Sequence, residues 1–551
     1  METKLNSISI TMIIGCLFLV SNVLIAQEEL PAEEVEVVKD FEVKTKEGTR
    51  IKTSPEPYSI DPPNYNYEYD MKVNPIEIEY PAPYIRPVAM QPDDPVEYYN
   101  GYIRGSYGSL SNPSIDAQYD LTATDYYTLG GKVKFNKFAE SGVVNKEYGQ
   151  TYVDLHADYF LTQEQMVSLK LGVDLQDIHA FGFNHLADST NTQLGTNSGT
   201  LSDVFVDANY ANTNLETNLS YGARLRYDRI SGALSNQKES NIHLELHGNK
   251  QLNDQLLFAL QTGVNYASLT NAIDGSDAIF YASPSISFSK GKAGIKLGAT
   301  FANGNEGGAI FPDAQVRIDL SRQAFILELG ADGSYVQQGL KHLSGINPYL
   351  ATIDRIEDSK QYNFYAGLSG YLKKEISYSV RAGYKLLYNL ALFTNDYNND
   401  RRLFSTLNDD ISSMYLSANV TFSPSDKLSI DLGMTKQILE PYGEGVQDIV
   451  RASWHLVPLL FESNVSFSII PDRLKVTSGI YLMEGVRYLS ETGSSQKTSL
   501  GVDLNFGLEA KVIDRVILFA SAKNITSTNY ERWHGYENFG TNFLGGVKVK
   551  L

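Results

Sequence analysis

The segment "HLELH" places three possible metal ligands, His243, Glu245 and His247, at alternating positions. If this segment is a strand, the three side chains share one face, because side chains alternate between the two faces of a sheet. Neighbours two residues apart on one face can bind the same zinc or copper ion. No further ligand can be identified in the sequence, so ordinary polarity of a water-facing surface is the alternative interpretation. These three residues are the metal-site candidates.

The sequence shows no pattern of residues that indicates a catalytic site. The chain has no Gly-x-Ser-x-Gly motif, and its eight histidines are scattered and do not indicate a triad. The glycines of "GNEGG" at 304–308 have no strand-to-helix context for binding phosphate. We therefore predict a protein that is not an enzyme and that uses no cofactor.

Composition excludes further classes of protein. The formal net charge of −19 argues against nucleic-acid binding through a basic surface. After the N-terminal region, no stretch approaches the roughly 20 consecutive apolar residues that a membrane-spanning helix needs. The single cysteine, Cys16, cannot form a disulfide framework or a cysteine-ligated metal site.

The first 97 residues differ from the rest. Residues 1–26 have a lysine followed by an apolar run that ends in "LIA", a pattern typical of a signal peptide cut after Ala26. A lipoprotein cleavage site at Cys16 is the alternative. Residues 27–97 hold 11 of the 19 prolines and 17 acidic residues against 7 basic ones. We predict that 27–97 is an extended acidic arm, partly disordered or inserted into a lumen.

From residue 98 to residue 551, apolar and polar residues alternate repeatedly. In "TYVDLHADYFL", for example, apolar residues at 153, 155, 157 and 159 oppose Asp154, His156 and Asp158. Strict alternation over 8–12 residues is typical of strands with one apolar and one polar face. Connections between these runs alternate between short and long, and the long ones include 177–201, 336–361, 390–411 and 437–460. The ten short ones are 122–125, 162–165, 211–214, 252–255, 289–292, 321–324, 372–375, 423–427, 470–473 and 512–515.

Ten short turns and eleven longer loops predict about 22 strands, within a range of 16–22. A β-sandwich or a propeller would show repeats at a fixed period, and the sequence shows none. A transmembrane antiparallel β-barrel explains the strand lengths, the rhythm of connections and the 36 tyrosines. Since hydrocarbon offers no partner for backbone N–H and C=O groups, such a sheet must close on itself.

The final segment, "NFLGGVKVKL", fits a closing strand that pairs with a first strand, "YIRGSYGSL", starting at Tyr102. The apolar positions from Phe543 to Leu551 should face lipid, and Lys548 and Lys550 should face the lumen. The same alternation predicts lumen-facing basic residues elsewhere. The candidates are Arg224, Arg226, Arg317, Arg381, Lys548 and Lys550.

Three segments carry a resemblance to a known family. "NYERWHGYENFGTNFLGGVKVKL" resembles the closing region of TonB-dependent receptors, through Tyr530, Trp533, Gly535, Tyr536, Gly540, Gly546 and Leu551. "EVEVVKDFEV" resembles both a TonB box and the start of receptor-like barrels that lack the plug domain, and "YIRGSYGSLSNPSIDAQYDL" resembles their first hairpin. Residues 27–97 are too short for the plug of that family. The resemblance therefore implies a receptor-like barrel without a plug.

This resemblance implies export to the outer membrane of a Gram-negative bacterium, contact with outer-membrane lipid and insertion by the outer-membrane assembly machinery. Leu551 differs from the aromatic residue with which such barrels commonly end. Solute binding or uptake is the leading hypothesis. A scaffold barrel, whose arm 27–97 engages another periplasmic or outer-membrane protein, is the second, and a passive porin is the third.

Overall fold

The computed structural model describes residues 99–124, 126–184, 197–214, 217–273, 275–321, 323–443 and 450–551. The predicted signal peptide, 1–26, and the predicted arm, 27–97, lie outside these residues. The described part of the chain is almost entirely β-structure. Within it, no helix is long and apolar enough to cross a membrane.

Twenty-two strands form one antiparallel sheet, and four short strands form two small hairpins in loops. The first half of the chain contains β1 (Gly101–Gly108), β2 (Ser114–Thr124), β3 (Tyr127–Ala139), β4 (Glu147–Thr162), β5 (Gln165–His179), β6 (Ser198–Asn214), β7 (Leu219–Ser231), β8 (Lys238–Asn253), β9 (Leu256–Leu269), β10 (Ser276–Lys290), β11 (Ala293–Gly304), β12 (Gly307–Asp319), β13 (Ile326–Gln338) and the helix α1 (Leu340–Ile346). The second half contains β14 (Glu357–Leu372), β15 (Ile376–Asp396), β16 (Asp400–Ser425), β17 (Leu428–Pro441), β18 (Leu459–Ile470), β19 (Leu474–Met483), β20 (Arg487–Leu489), β21 (Ser495–Lys497), β22 (Gly501–Ile513), β23 (Val516–Lys523), β24 (Glu531–Trp533), β25 (Tyr536–Glu537) and β26 (Asn542–Lys550). The strands β20–β21 and β24–β25 are the loop hairpins.

The sheet closes into a barrel between its first and last strands. Strand β1 pairs with β2 on one side and with β26 on the other, in register from Tyr102 opposite Lys550 to Gly108 opposite Leu544. No edge of the sheet is left open, so every transmembrane strand has a backbone partner on both sides. The prediction of a closed barrel of 22 strands is confirmed.

The two faces of the wall are divided as the alternation predicts. On β26, Phe543 and Val547 point outward and are 62% and 40% exposed. The neighbouring Lys548 and Lys550 point inward, where their ammonium groups lie 4.5 Å and 4.8 Å from the ring centres of Tyr102 and Tyr99.

The connections differ in detail from the sequence prediction. Most short turns lie where they were predicted, but β2 runs on to Thr124 and β6 runs on to Asn214, through turn residues predicted there. The loop predicted at 390–411 is wrong, because β15 and β16 continue through it and leave only residues 397–399 between them. Because paired strands satisfy each other's backbone groups, this hairpin extends beyond the bilayer. Since barrels of this kind have short periplasmic turns, the long loops mark the extracellular end.

The division into two faces can be tested on adjacent residues of β8. Leu246 points outward near the middle of the wall, and His247 points into the lumen. We expect Leu246→Arg to lower the free energy of unfolding by about 2–4 kcal/mol, because an arginine must then lie in hydrocarbon. Urea unfolding in lipid vesicles measures this loss. His247→Arg is the matched control, and an equal loss in both variants would contradict the assignment of faces.

Candidate functional site

The proposed metal ligands lie together on the lumen face of β8 but do not converge. His243 Nε2 is 3.7 Å from Glu245 Oε2, and His247 Nδ1 is 3.8 Å from Glu245 Oε1. His243 Nδ1 contacts the side chain of Asn265. Within the described part of the chain, no group of three or more His, Cys, Asp or Glu residues could hold a metal ion. The arrangement fits a polar lumen wall.

Two of the predicted lumen arginines, both on β7, are engaged by acidic partners on the same strand or on the neighbouring β6. Arg224 lies 2.5 Å from Asp207, and Arg226 lies 2.7 Å from Asp228. Arg226 also stacks on Phe205, with its guanidinium 4.5 Å from the ring centre. This sector of the wall therefore presents paired charges.

The other arginines lie on the far sector of the wall. Arg381 lies 2.9 Å from Glu328 and 4.2 Å from the ring centre of Tyr365. Arg317 is in register with Glu328 from the adjacent strand. Sequence reasoning found the basic residues but missed these acidic partners, because the register between strands decides which side chains meet.

The extracellular end holds a feature that the sequence did not predict as a unit. Long loops from most of the barrel turn inward and pack into one apolar core, which we call the loop cap. Its described segments are 179–184, 231–238, 269–273, 338–357, 389–411, 451–458 and 529–538. Its buried side chains include Phe181, Leu269, Leu343, Leu350, Phe393, Phe404, Trp533 and Tyr536.

The hairpin β24–β25 lies at the centre of this core. Tyr536 stacks on Tyr349 with ring centres 3.7 Å apart, and packs edge-on against Phe181 at 4.9 Å. Trp533 packs edge-on against Phe393 at 5.2 Å and Phe404 at 5.5 Å. Segments from three other parts of the barrel thus share one aromatic centre.

Contacts within the loop cap connect opposite walls. In the ring of 22 strands, β5 and β16 lie eleven strands apart in either direction. Arg402, in β16, donates a hydrogen bond of 3.3 Å from Nη1 to the carbonyl of Ala180, which follows β5. The Tyr536 hydroxyl donates to the carbonyl of Arg402 at 2.7 Å. The loop cap therefore spans the mouth of the barrel.

Two buried glutamines connect loops through side-chain hydrogen bonds to backbone N–H and C=O groups, in the pattern that a paired strand would make. Gln237 donates to the carbonyl of Ile353 at 2.7 Å and accepts from its N–H at 3.0 Å. Gln338 donates to the carbonyl of Asn389 at 2.7 Å and accepts from the N–H of Ala391 at 2.7 Å. We call Gln237 and Gln338 the bridging glutamines.

Helix α1 is held against the wall by acidic residues from other strands. The carboxylate of Glu239, in β8, accepts hydrogen bonds from the backbone N–H groups of Leu340 and Lys341. The Lys341 ammonium lies 2.5 Å from Asp228, in β7. Because charged groups supply these bonds, they are stronger than bonds between neutral groups.

The backbone is strained where the central hairpin meets its neighbours. Phe183 and His455 have positive φ values of 63° and 54°, a conformation that is uncommon for side chains other than glycine. The N–H of Phe183 donates to the carbonyl of Gly535 at 2.8 Å, which holds the strained turn in place. Such strain persists only where surrounding contacts impose it, and it concentrates at functional segments.

Comparison with known proteins identifies the architecture. No family model matches the chain, and no curated protein matches it. Among solved structures, the chain is similar to the FrpB iron transporter from Neisseria meningitidis (9% identity, TM-score 0.65, covering 83% of this chain and 82% of that one). It is also similar to the siderophore receptor PirA from Acinetobacter baumannii (11%, 0.61, 82% and 80%) and to the ferripyoverdine receptor of the Pseudomonas aeruginosa outer membrane (12%, 0.60, 83% and 72%).

The barrel has the fold of TonB-dependent receptors. The resemblance read from the segment around Trp533 is confirmed at the level of fold. The likeness covers the barrel region, and the residues before 99 stand outside the described structure.

His455 is a titratable residue in the core of the loop cap. Its ring is buried, its Nδ1 lies 2.8 Å from the carbonyl of Phe393, and its Nε2 accepts from the N–H of His534 at 3.3 Å. Burial lowers the pKa of His455 to about 3, and the nearby Arg532 adds to this effect. The folded cap therefore keeps this imidazole neutral.

Acidification should loosen the loop cap. When the loops separate, the pKa of His455 returns to its ordinary value near 6.5. Between pH 6.5 and about 3, His455 is therefore protonated in the open state and neutral in the closed state. Cap stability should fall with decreasing pH in that window by up to about 1.4 kcal/mol per unit. Hydrogen exchange at the amide of Trp533, followed as a function of pH, measures the stability of the loop cap. His455→Gln should remove this part of the slope, and an unchanged slope would refute the assignment.

Proposed function

We propose that this receptor-like barrel resides in the outer membrane and binds or takes up a solute from outside the cell, with the loop cap as its outer gate. The closed barrel with an apolar outer wall supports that location. The observation that carries the proposal is the connection between opposite walls, from Ala180 through Arg402 to Tyr536. A barrel of this width would otherwise leave a wide lumen.

The proposed path follows from the two surfaces. A solute reaches the extracellular face of the loop cap first and passes only if the loops separate. Separation breaks the hydrogen bonds of the bridging glutamines and exposes the aromatic core around Trp533. Beneath the cap, paired charges such as Arg224 with Asp207 give the wall a polar surface. Such a wall suits a hydrated solute.

The neighbours support solute uptake as the general activity. FrpB is an iron transporter, PirA is a siderophore receptor, and the Pseudomonas receptor binds ferripyoverdine. We infer a solute too large for simple diffusion, and iron chelates are the first class to test. A passive porin fits less well, since the described loops cross the mouth.

The scaffold hypothesis predicts a different behaviour. In that case the acidic arm, 27–97, engages a periplasmic or outer-membrane protein by strand addition or by folding on binding. A stoichiometric partner captured by the isolated arm would favour the scaffold hypothesis.

Loosening the loop cap should increase conductance. Removing both bridging glutamines, Gln237→Ala with Gln338→Ala, leaves buried backbone groups unpaired at a cost of about 1–3 kcal/mol for each. Planar-bilayer recordings should then show openings that are at least about tenfold more frequent than in wild type. Gln118→Ala is the matched control, because Gln118 lies on the lumen wall away from the cap. Equal opening frequencies in the double variant and in wild type would contradict a gating cap.

Deleting the arm tests the periplasmic side separately. If residues 27–97 occlude the lumen, their deletion should raise conductance in planar bilayers, and the increase should be larger when the bridging glutamines are also absent. If the arm serves only a partner, the deletion should leave conductance unchanged while abolishing capture of that partner.

A further inference from the structure

The outer wall of the barrel contains an apolar groove in the sector formed by β11–β16. The groove has a volume of about 680 Å³ and is lined almost entirely by apolar atoms. Leu297 and Leu329 border one side, and Phe364, Tyr384 and Met414 border the other. These residues belong to the outward face, so the groove opens toward lipid and not toward the lumen.

The register between strands produces this groove. Ala314 pairs with Ala331, and Ala366 pairs with Ala382, so small side chains lie next to one another on the outward face. The two alanine pairs are offset, because Ala331 lies opposite Phe364 and Ala366 lies opposite Leu329. Each alanine pair therefore leaves a low area beside a large side chain of the neighbouring strand, and the two low areas form the floor of the groove.

The position of the groove in the bilayer follows from the aromatic residues on its periplasmic side. Phe325 and Tyr378 pack edge-on at 6.3 Å near the periplasmic end, where aromatic side chains mark the membrane interface. Ala382 lies four residues beyond Tyr378, which is about 13 Å along the strand. Because the strands are tilted, Ala382 lies about 10 Å deep in a hydrocarbon layer that is about 30 Å thick. The floor is therefore within reach of an acyl chain from the periplasmic leaflet.

Basic side chains stand at the headgroup level below the same strands. Ala366 and Ala382 belong to the hairpin β14–β15, whose turn carries Lys373 and Lys374, both exposed. Exposed lysines also occupy the adjacent turn between β16 and β17, at Lys427, and the turn between β10 and β11, at Lys290 and Lys292. By contrast, the described residues of the turns that follow β4 and β8 carry Glu164 and Asp254 and no lysine or arginine.

We propose that this sector holds an anionic phospholipid of the periplasmic leaflet, with an acyl chain in the groove and its phosphate beside Lys373 and Lys374. Both halves of the site lie on one hairpin, at a spacing of seven residues between Ala366 and Lys373, or about 23 Å along the strand. The apolar lining recognises the chain, and the ammonium groups recognise the phosphate. The site is independent of the loop cap and of any transport activity.

Native mass spectrometry of the full-length protein, released from membranes in mild detergent, tests the site. Wild type should retain one phospholipid at collision energies that strip the remaining lipids. Ala366→Leu fills the groove and should reduce the retained fraction about tenfold. Ala223→Leu is the matched control, because Ala223 lies on the outward face of β7 between Tyr221 and Leu225 and away from the groove.

A second pair of variants tests the headgroup. In nanodiscs that contain both phosphatidylglycerol and phosphatidylethanolamine, wild type should enrich the anionic lipid. Lys373→Gln with Lys374→Gln should weaken this preference by about fivefold for each lysine. Mobility on unboiled gels verifies that each variant is folded. Equal retention in wild type and Ala366→Leu, or a retained mass that corresponds to lipid A, would overturn the proposal.

Discussion

The structure depends on the absence of water in the bilayer core. A backbone N–H or C=O in hydrocarbon has no partner except another strand, so the sheet has to return to its own beginning. The pairing of β1 with β26 meets this demand, and it fixes the positions of all other strands around the ring. Once the ring is closed, one face of every strand must be apolar and the other can be polar. The wall and its charged lining both follow from this constraint.

Closing a ring of 22 strands creates a second problem, because its lumen is wider than its own side chains can fill. At the extracellular end, the long loops occupy the mouth of the lumen and form an apolar core like that of a small soluble protein. That core is built on aromatic packing around Trp533 and Tyr536, and its polar groups are satisfied by residues such as Gln237 and Glu239. The barrel thus has an apolar exterior in lipid and an apolar core at its mouth.

The wall under the loop cap and the loop cap itself differ in chemistry. The wall carries paired charges, since Arg224 and Arg381 each face a carboxylate, whereas the loop cap has an aromatic core. Under the proposed gating role, the loops and not the lumen wall discriminate between solutes. The strained backbone at Phe183 and His455 lies in those loops.

The amino-acid sequence by itself determined the strand number, the inward and outward faces, the closing strand and the general fold, because period-two alternation and turn spacing are local properties of the chain. It also located every predicted basic residue of the lumen on a strand. Only the tertiary structure decided which residues meet. The pairing of Arg226 with Asp207 and the alignment of Ala366 with Ala382 depend on the register between neighbouring strands. The gathering of His455, Trp533 and Phe404 depends on loops that meet across the barrel. Alternation along one strand encodes neither the register nor the meeting of loops.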